Sequence, residues 1–150
     1  MRAVIQRVQQ ASVTVEDKKV ATIGKGLVIL LGVTHEDQEE DISWLSQKII
    51  NLRIFNDIEG KMNKNIKDVE GDVIIVSQFT LFASTKKGNR PSYLNAAKPN
   101  IAKDIYLNFI EVFKSMLRKD VGTGIFGADM KVSLINDGPV TIIIDTENKE

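Results

Sequence analysis

The sequence predicts an α+β fold, mostly antiparallel strands with two helices. Three observations carry that reading. Residues 2–8, 12–16, 20–23 and 27–33 alternate or run on in β-branched and aliphatic side chains, broken by Asp17-Lys18-Lys19 and Gly24-Lys25-Gly26. Ile42, Leu45, Ile49 and Leu52 recur at helical spacing, and so do Ile101, Ile105, Phe109, Val112, Phe113 and Met116. Strand-like runs return at 72–79, 130–135 and 140–146.

Taken in order, the first third is a set of sequential strands. Residues 34–40 are polar and acidic, which suits a helix start at the positive end of the macrodipole, capped through Thr34 with Asp37 or Asp37 with Glu40. Trp44 sits beside the apolar stripe of that helix and reads as a core or interface aromatic. Residues 56–70 are rich in Asn, Asp, Lys and Gly and read as a long polar connection. Residues 84–95 form a loop carrying Lys86, Lys87 and Arg90. Pro99 opens the second helix at its first turn. Gly122, Gly124 and Gly127 punctuate the approach to two final strands.

The chain has 150 residues, which suits a single domain over 1–150 with a core of ordinary size. Hydrophobic residues make up 43% and charged residues 27%, a globular composition. The absence of cysteine excludes disulfides, a cysteine nucleophile and thiolate metal sites. Neither an apolar leader nor a run of ~18 apolar residues is present, so the chain is expected to be cytoplasmic, with no membrane partner. Twenty basic and twenty acidic residues cancel. That balance argues against coating long nucleic acid, and leaves room for contact with one end of it.

Two segments place polar or conformationally special groups where a core would not. Ser77-Gln78-Phe79-Thr80-Leu81 follows the apolar run Val73-Ile74-Ile75-Val76, and Asn136-Asp137-Gly138-Pro139 precedes Val140-Thr141-Ile142-Ile143-Ile144. The first reads as a polar strand end or as a turn offering backbone N–H groups to an oxyanion. Thr80 as a nucleophile would need a base, and none is evident. The second has a plain reading as a hairpin turn, because Asp-Gly is a turn signal between strands. His35, the single histidine, lies in an acidic stretch and reads as an exposed residue at a helix start rather than a triad base. One histidine without cysteine argues against zinc, and no metal or cofactor is expected. Residues 122–127 match G-x-G-x-x-G, but a strand pattern follows where the dinucleotide fingerprint needs a helix, so that site is rejected. Lys86, Lys87 and Arg90 read as a solvated loop or as phosphate contacts.

At these residues the chain resembles the D-aminoacyl-tRNA deacylase family. The likeness runs through Met1-Arg2-Ala3-Val4-Ile5-Gln6-Arg7-Val8, Leu52-Arg53-Ile54-Phe55, Ser77-Gln78-Phe79-Thr80-Leu81, Lys87-Gly88-Asn89-Arg90-Pro91-Ser92, Thr123-Gly124-Ile125-Phe126-Gly127-Ala128 and Asn136-Asp137-Gly138-Pro139-Val140-Thr141. The resemblance implies a barrel-like sandwich with two main helices, forming a homodimer with its sites at the interface. It implies hydrolysis of the ester joining a D-amino acid, or glycine mischarged on tRNA-Ala, to the 3′ end of tRNA, with the L-aminoacyl ester rejected. It assigns Ser77, Gln78, Phe79 and Thr80 to the catalytic wall, and Phe126, Gly127, Ala128 and Met130 to the substrate pocket. Gly138 and Pro139 become a cis-peptide filter reaching into the other subunit's site. Two alternatives stand beside it: a non-catalytic nucleic-acid-binding dimer, and an esterase acting on small D-amino acid esters without RNA.

Overall fold

A computed structural model describes residues 1–149. The first strand, β1 (Arg2–Val15), is one continuous element rather than the two predicted. It turns through Glu16 and Asp17, both at positive φ, into β2 (Lys18–Ile23), so the turn begins one residue earlier than the Asp-Lys-Lys run suggested and both lysines belong to the strand. β3 (Gly26–Gly32) returns alongside. The N-terminal half of β1 pairs with β3 and its C-terminal half with β2, both antiparallel.

Helix α1 (Glu39–Ile50) follows. Neither predicted cap is used as a cap: the Asp37 carboxylate accepts from the Thr34 N–H at 2.7 Å and pairs with the Met1 ammonium, which stabilises the turn ahead of the helix. The helix itself starts at Gln38, whose N–H donates to the Asp41 carboxylate at 3.1 Å. The connection predicted at 56–70 contains a small hairpin, β4 (Phe55–Asn56) with β5 (Met62–Lys64). Ile66 is nonetheless fully buried, so the polar segment is pinned to the core.

β6 (Asp72–Ser77) adds to β3 in parallel, Leu31 opposite Ser77. It ends two residues short of the predicted strand, because the chain turns into a 3₁₀ segment at Phe79–Phe82. Gly32 makes room for that turn: a Cβ there would stand 3.1 Å from the Gln78 carbonyl oxygen and from Leu81. Helix α2 (Pro99–Leu117) has Pro99 in its first turn, as predicted, and ends at Arg118 in the left-handed conformation. Its buried face is Ala102, Tyr106, Phe109, Ile110, Phe113 and Leu117. The predicted stripe was rotated: Ile101 is exposed, and the helix turns its one tyrosine inward.

β7 (Gly122–Thr123) pairs in parallel with β6. It also approaches β2, since a Cβ on Gly122 would stand 3.1 Å from that of Ala21. The sheet order β2-β1-β3-β6-β7 thereby curls into a nearly closed, barrel-like sheet. The last strand, β8 (Lys131–Asp145), pairs antiparallel with the whole length of β1. The hairpin predicted at 136–139 does not form: the chain continues in one direction, and the irregular residues are a bulge within β8. The result is α+β and mostly antiparallel, with two parallel pairings at β6. Alternate residues of β3 and β6 point to the two faces. Leu27, Ile29, Leu31, Val73 and Ile75 join both helices in the main core, with Trp44 partly buried against it. Val28, Ile74 and Val76 join Val8, Ala11 and Val13 inside the curl.

Tyr106 ties α2 to the sheet by donating its hydroxyl to the Ile75 carbonyl at 2.8 Å, and burial pushes its pKa up to about 12. The folded pKa lies above the unfolded value near 10, so this contribution is whole below pH 10 and is lost as the pH rises toward 12. Tyr106→Phe should lower unfolding free energy by about 1 kcal/mol in urea titration at pH 7. The same variant should show a smaller loss of stability than the parent between pH 10 and pH 12.

Candidate functional site

A cleft of about 660 Å³ opens where four segments converge: the C-terminal ends of β3 and β6, the N-terminus of α2, and the stretch that leads into β8. It is mostly apolar, floored by Val33, Val76 and Ala102, with Phe126 and Met130 as one wall. Of the predicted site residues, Ser77, Gln78, Phe79, Phe126, Gly127, Ala128 and Met130 all line it. Two segments nearly fifty positions apart in sequence meet because β6 and β7 run parallel and both deliver their ends to the same side.

The turn after β6 has a particular hydrogen-bonding state. The Gln78 N–H donates to the Leu31 carbonyl at 2.7 Å, which continues the ladder one residue past the strand. The Gln78 side-chain amide is bonded to the Thr80 hydroxyl. The N–H groups of Phe79 and Thr80 have no acceptor among the described residues. They begin a 3₁₀ turn, where the first donors have no partner within the turn. Thr80 is half-buried behind the turn and does not line the cleft. Its hydroxyl is engaged by Gln78, and none of the cleft's own titratable side chains, His35, Tyr93, Lys98 and Asp129, bonds to it.

Gly138 and Pro139 are exposed and lie outside this chain's own cleft. Their peptide bond is cis. The bulge they occupy sets four residues, 137–140, opposite one, because Gln6 pairs with Thr141 and Val8 with Asn136. The one residue is Arg7, buried to 6% exposure. Its guanidinium donates to the Asp137 carbonyl at 3.1 Å and to the Ile54 carbonyl at 2.6 Å, and pairs with the Asp137 carboxylate at 3.2 Å. Asn136 closes the bulge from the other side: its carboxamide oxygen accepts from the Val140 N–H at 2.9 Å and its amide nitrogen donates to the Val140 carbonyl at 3.2 Å. Gly138 has φ of +122°, and a Cβ there would meet the Arg7 Nη2 at 2.9 Å, so only glycine fits.

Sequence reasoning missed Arg7 as the anchor of the bulge, since it reads as one polar residue in an alternating strand. It also missed Tyr93, Leu94 and Lys98, which form the outer rim. Tyr93 packs edge-on to Phe79 with ring centroids 5.0 Å apart, and Leu94 is 87% exposed. No sequence signal marked them, because what distinguishes them is exposure of a large leucine beside two aromatics. His35 is exposed ahead of α1, as expected, but it also borders the cleft. Among the described residues no three His, Cys, Asp or Glu side chains stand together as a metal site.

Arg7→Met keeps the length and removes the donors. Charge-assisted bonds of this kind are worth roughly 1.5–3 kcal/mol each, so the amides of residues 136, 137, 138 and 140 should exchange with deuterium at least about tenfold faster, with those of α2 unchanged. Unaltered protection of the bulge would show that Arg7 does not hold it.

Comparison with known proteins gives a consistent picture. The family model for D-Tyr-tRNA(Tyr) deacylase matches residues 4–145. A D-aminoacyl-tRNA deacylase of Christiangramia forsetii is 66% identical over 149 residues, 99% of each chain. One of Flavobacterium psychrophilum is 63% identical over the full length of both. Among solved structures, a c-Myc DNA unwinding element binding protein is 40% identical with a TM-score of 0.92, covering 97% of this chain and 99% of its own. A probable eukaryotic D-amino acid tRNA deacylase shares the fold at a TM-score of 0.80 and 18% identity, over 95% of this chain and 97% of its own. On the matched span and the identity, the chain belongs to the D-Tyr-tRNA(Tyr) deacylase family, a family of hydrolases.

Proposed function

We propose that this chain hydrolyses the ester of D-aminoacyl-tRNA, and of glycyl-tRNA mischarged on tRNA-Ala, releasing the amino acid and free tRNA and sparing the L-aminoacyl ester. The observation that carries the reading is the Phe79 N–H, at the end of the cleft and without an acceptor among the described residues, followed in the same turn by an equally unpaired Thr80 N–H. An aminoacyl ester is already activated, so hydrolysis needs positioning, a water and a place for developing negative charge rather than a strong nucleophile. In this mechanism the two N–H groups stabilise the tetrahedral oxyanion. The neighbouring ribose 2′-hydroxyl of the substrate, which RNA supplies and DNA lacks, orients the water. Ser77 and Gln78 shape the wall, and Gln78 fixes Thr80, which acts by position.

Chirality is read by exclusion. The cleft of a single chain has no wall contributed by Gly138 or Pro139, whereas a second copy would supply one. The homodimer proposed here brings the Arg7-anchored bulge of one protomer over the cleft of the other. Its carbonyl oxygens would crowd the position of an L side chain, and Phe126, Gly127, Ala128 and Met130 would hold the remainder. Support comes from β8, which pairs with β1 alone and leaves Ile135 and Ile143 exposed, the latter at 68%. A filter of this kind admits glycine and many D residues, since it rejects shape and need not recognise what passes. The cytoplasm, where tRNA is charged and used, is the expected location; no helix of the described residues is long and apolar enough to cross a membrane.

The 40%-identical neighbour named for binding a DNA element keeps a second reading in view, a nucleic-acid-binding dimer without catalysis. One assay separates the two. With D-, L- and glycyl esters on the same tRNA, the D and glycyl esters should be cleaved and the L ester spared, whereas a binder would cleave none. Thr80→Ala should keep activity within about tenfold, and capture of an acyl-Thr80 intermediate would defeat the backbone mechanism.

Phe79→Pro offers a sharper check. Gln78, with φ of −142° and ψ of 78°, lies outside the helical region that a following proline disfavours, and Phe79 is the first residue of the 3₁₀ turn, so proline is tolerated there. Measured against Phe79→Ala, which removes the same ring, the proline variant should lose a further ~10²–10³ in kcat because one oxyanion donor is gone. Equal kcat in the two variants would remove the Phe79 N–H from the mechanism.

A further inference from the structure

A second cavity, of about 510 Å³, lies beside the first and shares His35 and Leu94 with it as a common ridge. Its far walls are residues the deacylation mechanism does not use: Arg2, Glu36, Phe82, Ser84, Lys86 and Asn95. Both cavities fall in the size range of small-molecule sites. Accepting the tRNA reading above, we propose that this second cavity holds the cytidine that precedes the terminal adenosine.

The chemistry of the walls supports a nucleobase. Arg2 directs three of its five N–H donors at protein: Nη1 donates to the Leu81 carbonyl at 2.6 Å, and Nε and Nη2 donate to Asp145 at 2.9 and 2.7 Å. One face of the guanidinium lies over the Phe82 ring at 4.7 Å. Its side chain is still 33% exposed, so it offers a ligand a flat, charged surface together with two N–H donors. Unpaired RNA bases stack on such planes as they do on aromatic rings. Around that surface stand a carboxylate at Glu36, an amide at Asn95 and a hydroxyl at Ser84, none with a side-chain partner among the described residues. A carboxylate accepts from the cytosine 4-amino group, and an amide or hydroxyl donates to its O2 carbonyl and to the ring nitrogen N3. The Thr34 hydroxyl, in a residue 6% exposed on the same wall, also has no partner. Lys86 has no ion-pair partner among the described residues and stands where a connecting phosphate can be neutralised.

Leu94 completes the case. At 87% exposure it is the most exposed leucine, and it stands on the divide between the two cavities. An aliphatic wedge there separates two consecutive bases so that each enters its own cavity, as splayed single-stranded RNA requires.

The experiment compares two minimal esters with the intact protein: a D-amino acid on adenosine, and the same amino acid on the dinucleotide cytidylyl-adenosine. The dinucleotide ester should show a kcat/KM roughly tenfold higher, carried in KM, consistent with one added stacked and hydrogen-bonded base. Replacing cytidine by uridine should remove most of that advantage. Glu36→Gln and Asn95→Ala, both exposed loop residues outside the first cleft, should also reduce it and leave the adenosine ester unaffected. Equal kcat/KM for the two esters in the unaltered protein overturns the second subsite while leaving the deacylase reading intact. A matching fall on both esters in the variants overturns it too, because the residues would then act on the first cleft. Hydrolysis of neither ester, by protein that also spares D-aminoacyl-tRNA, overturns the deacylase reading and this inference with it.

Discussion

Strand β1 sets the position of both the cleft and the 136–140 bulge, through hydrogen bonds on each of its edges. On one edge it registers β3, which in turn registers β6 and the turn at Phe79. On the other it registers β8 and the bulge at 136–140. Where the β8 ladder slips, Arg7 is buried with its guanidinium satisfied by two carbonyls and a carboxylate. A buried guanidinium is tolerable only when its donors are used, and a bulge of four residues keeps one shape only when its carbonyls are held. Each feature meets the other's requirement. The constraint fixes where the Gly138 and Pro139 carbonyls can point, with Gly138 in a conformation that excludes any side chain.

The division of labour between backbone and side chains follows from the bond proposed as substrate. A strong nucleophile would attack either mirror image of an activated ester with equal ease. Side chains that bind one D residue closely would refuse the others. Main-chain groups avoid both problems, since they are the same at every residue type and are fixed by the fold. The Phe79 and Thr80 N–H groups owe their availability to a strand that stops and a 3₁₀ turn that starts, and the proposed filter owes its placement to a slipped ladder. Neither device requires an ionisable side chain of shifted pKa, in keeping with a cleft whose only titratable neighbours, His35, Tyr93, Lys98 and Asp129, sit on its rim or mouth.

Much of this was legible in the residues. Alternating and continuous apolar runs located every long strand, because burial on one or both faces imposes those patterns directly. Pro99 located the start of α2. The errors have a common source in tertiary context. Asp137-Gly138 reads as a turn because isolated Asp-Gly favours reversal, but the Arg7 and Asn136 bonds that keep the chain running forward come from residues far away or pointing back. The α2 stripe was rotated because Tyr106 counts as polar by type, while its hydroxyl finds the Ile75 carbonyl and its ring is buried. The site motifs were visible as oddities, and Ser77, Gln78, Phe126 and Met130 do meet in one cleft. The rim at Tyr93 and Leu94 was not, since exposure cannot be read from a loop sequence.

Charge distribution bears on what approaches that rim. The chain is neutral overall, yet its cations are not evenly compensated. Lys114 pairs with Asp120, Lys119 with Asp72 and Lys131 with Asp129, all away from the cleft floor. Lys98 at the cleft and Lys86, Lys87 and Arg90 in the neighbouring loop have no ion-pair partner among the described residues. A protein that tracks a duplex needs a positive surface several phosphates long, and its affinity then falls steeply with salt. Lys98 on the first cleft and Lys86 on the neighbouring cavity, with Lys87 and Arg90 further along the same loop, suit a different task, meeting the last few phosphates of a strand whose end must enter a hole. Local excess without global excess lets such a protein release the rest of the polyanion, which matters when the product is itself a tRNA that must leave.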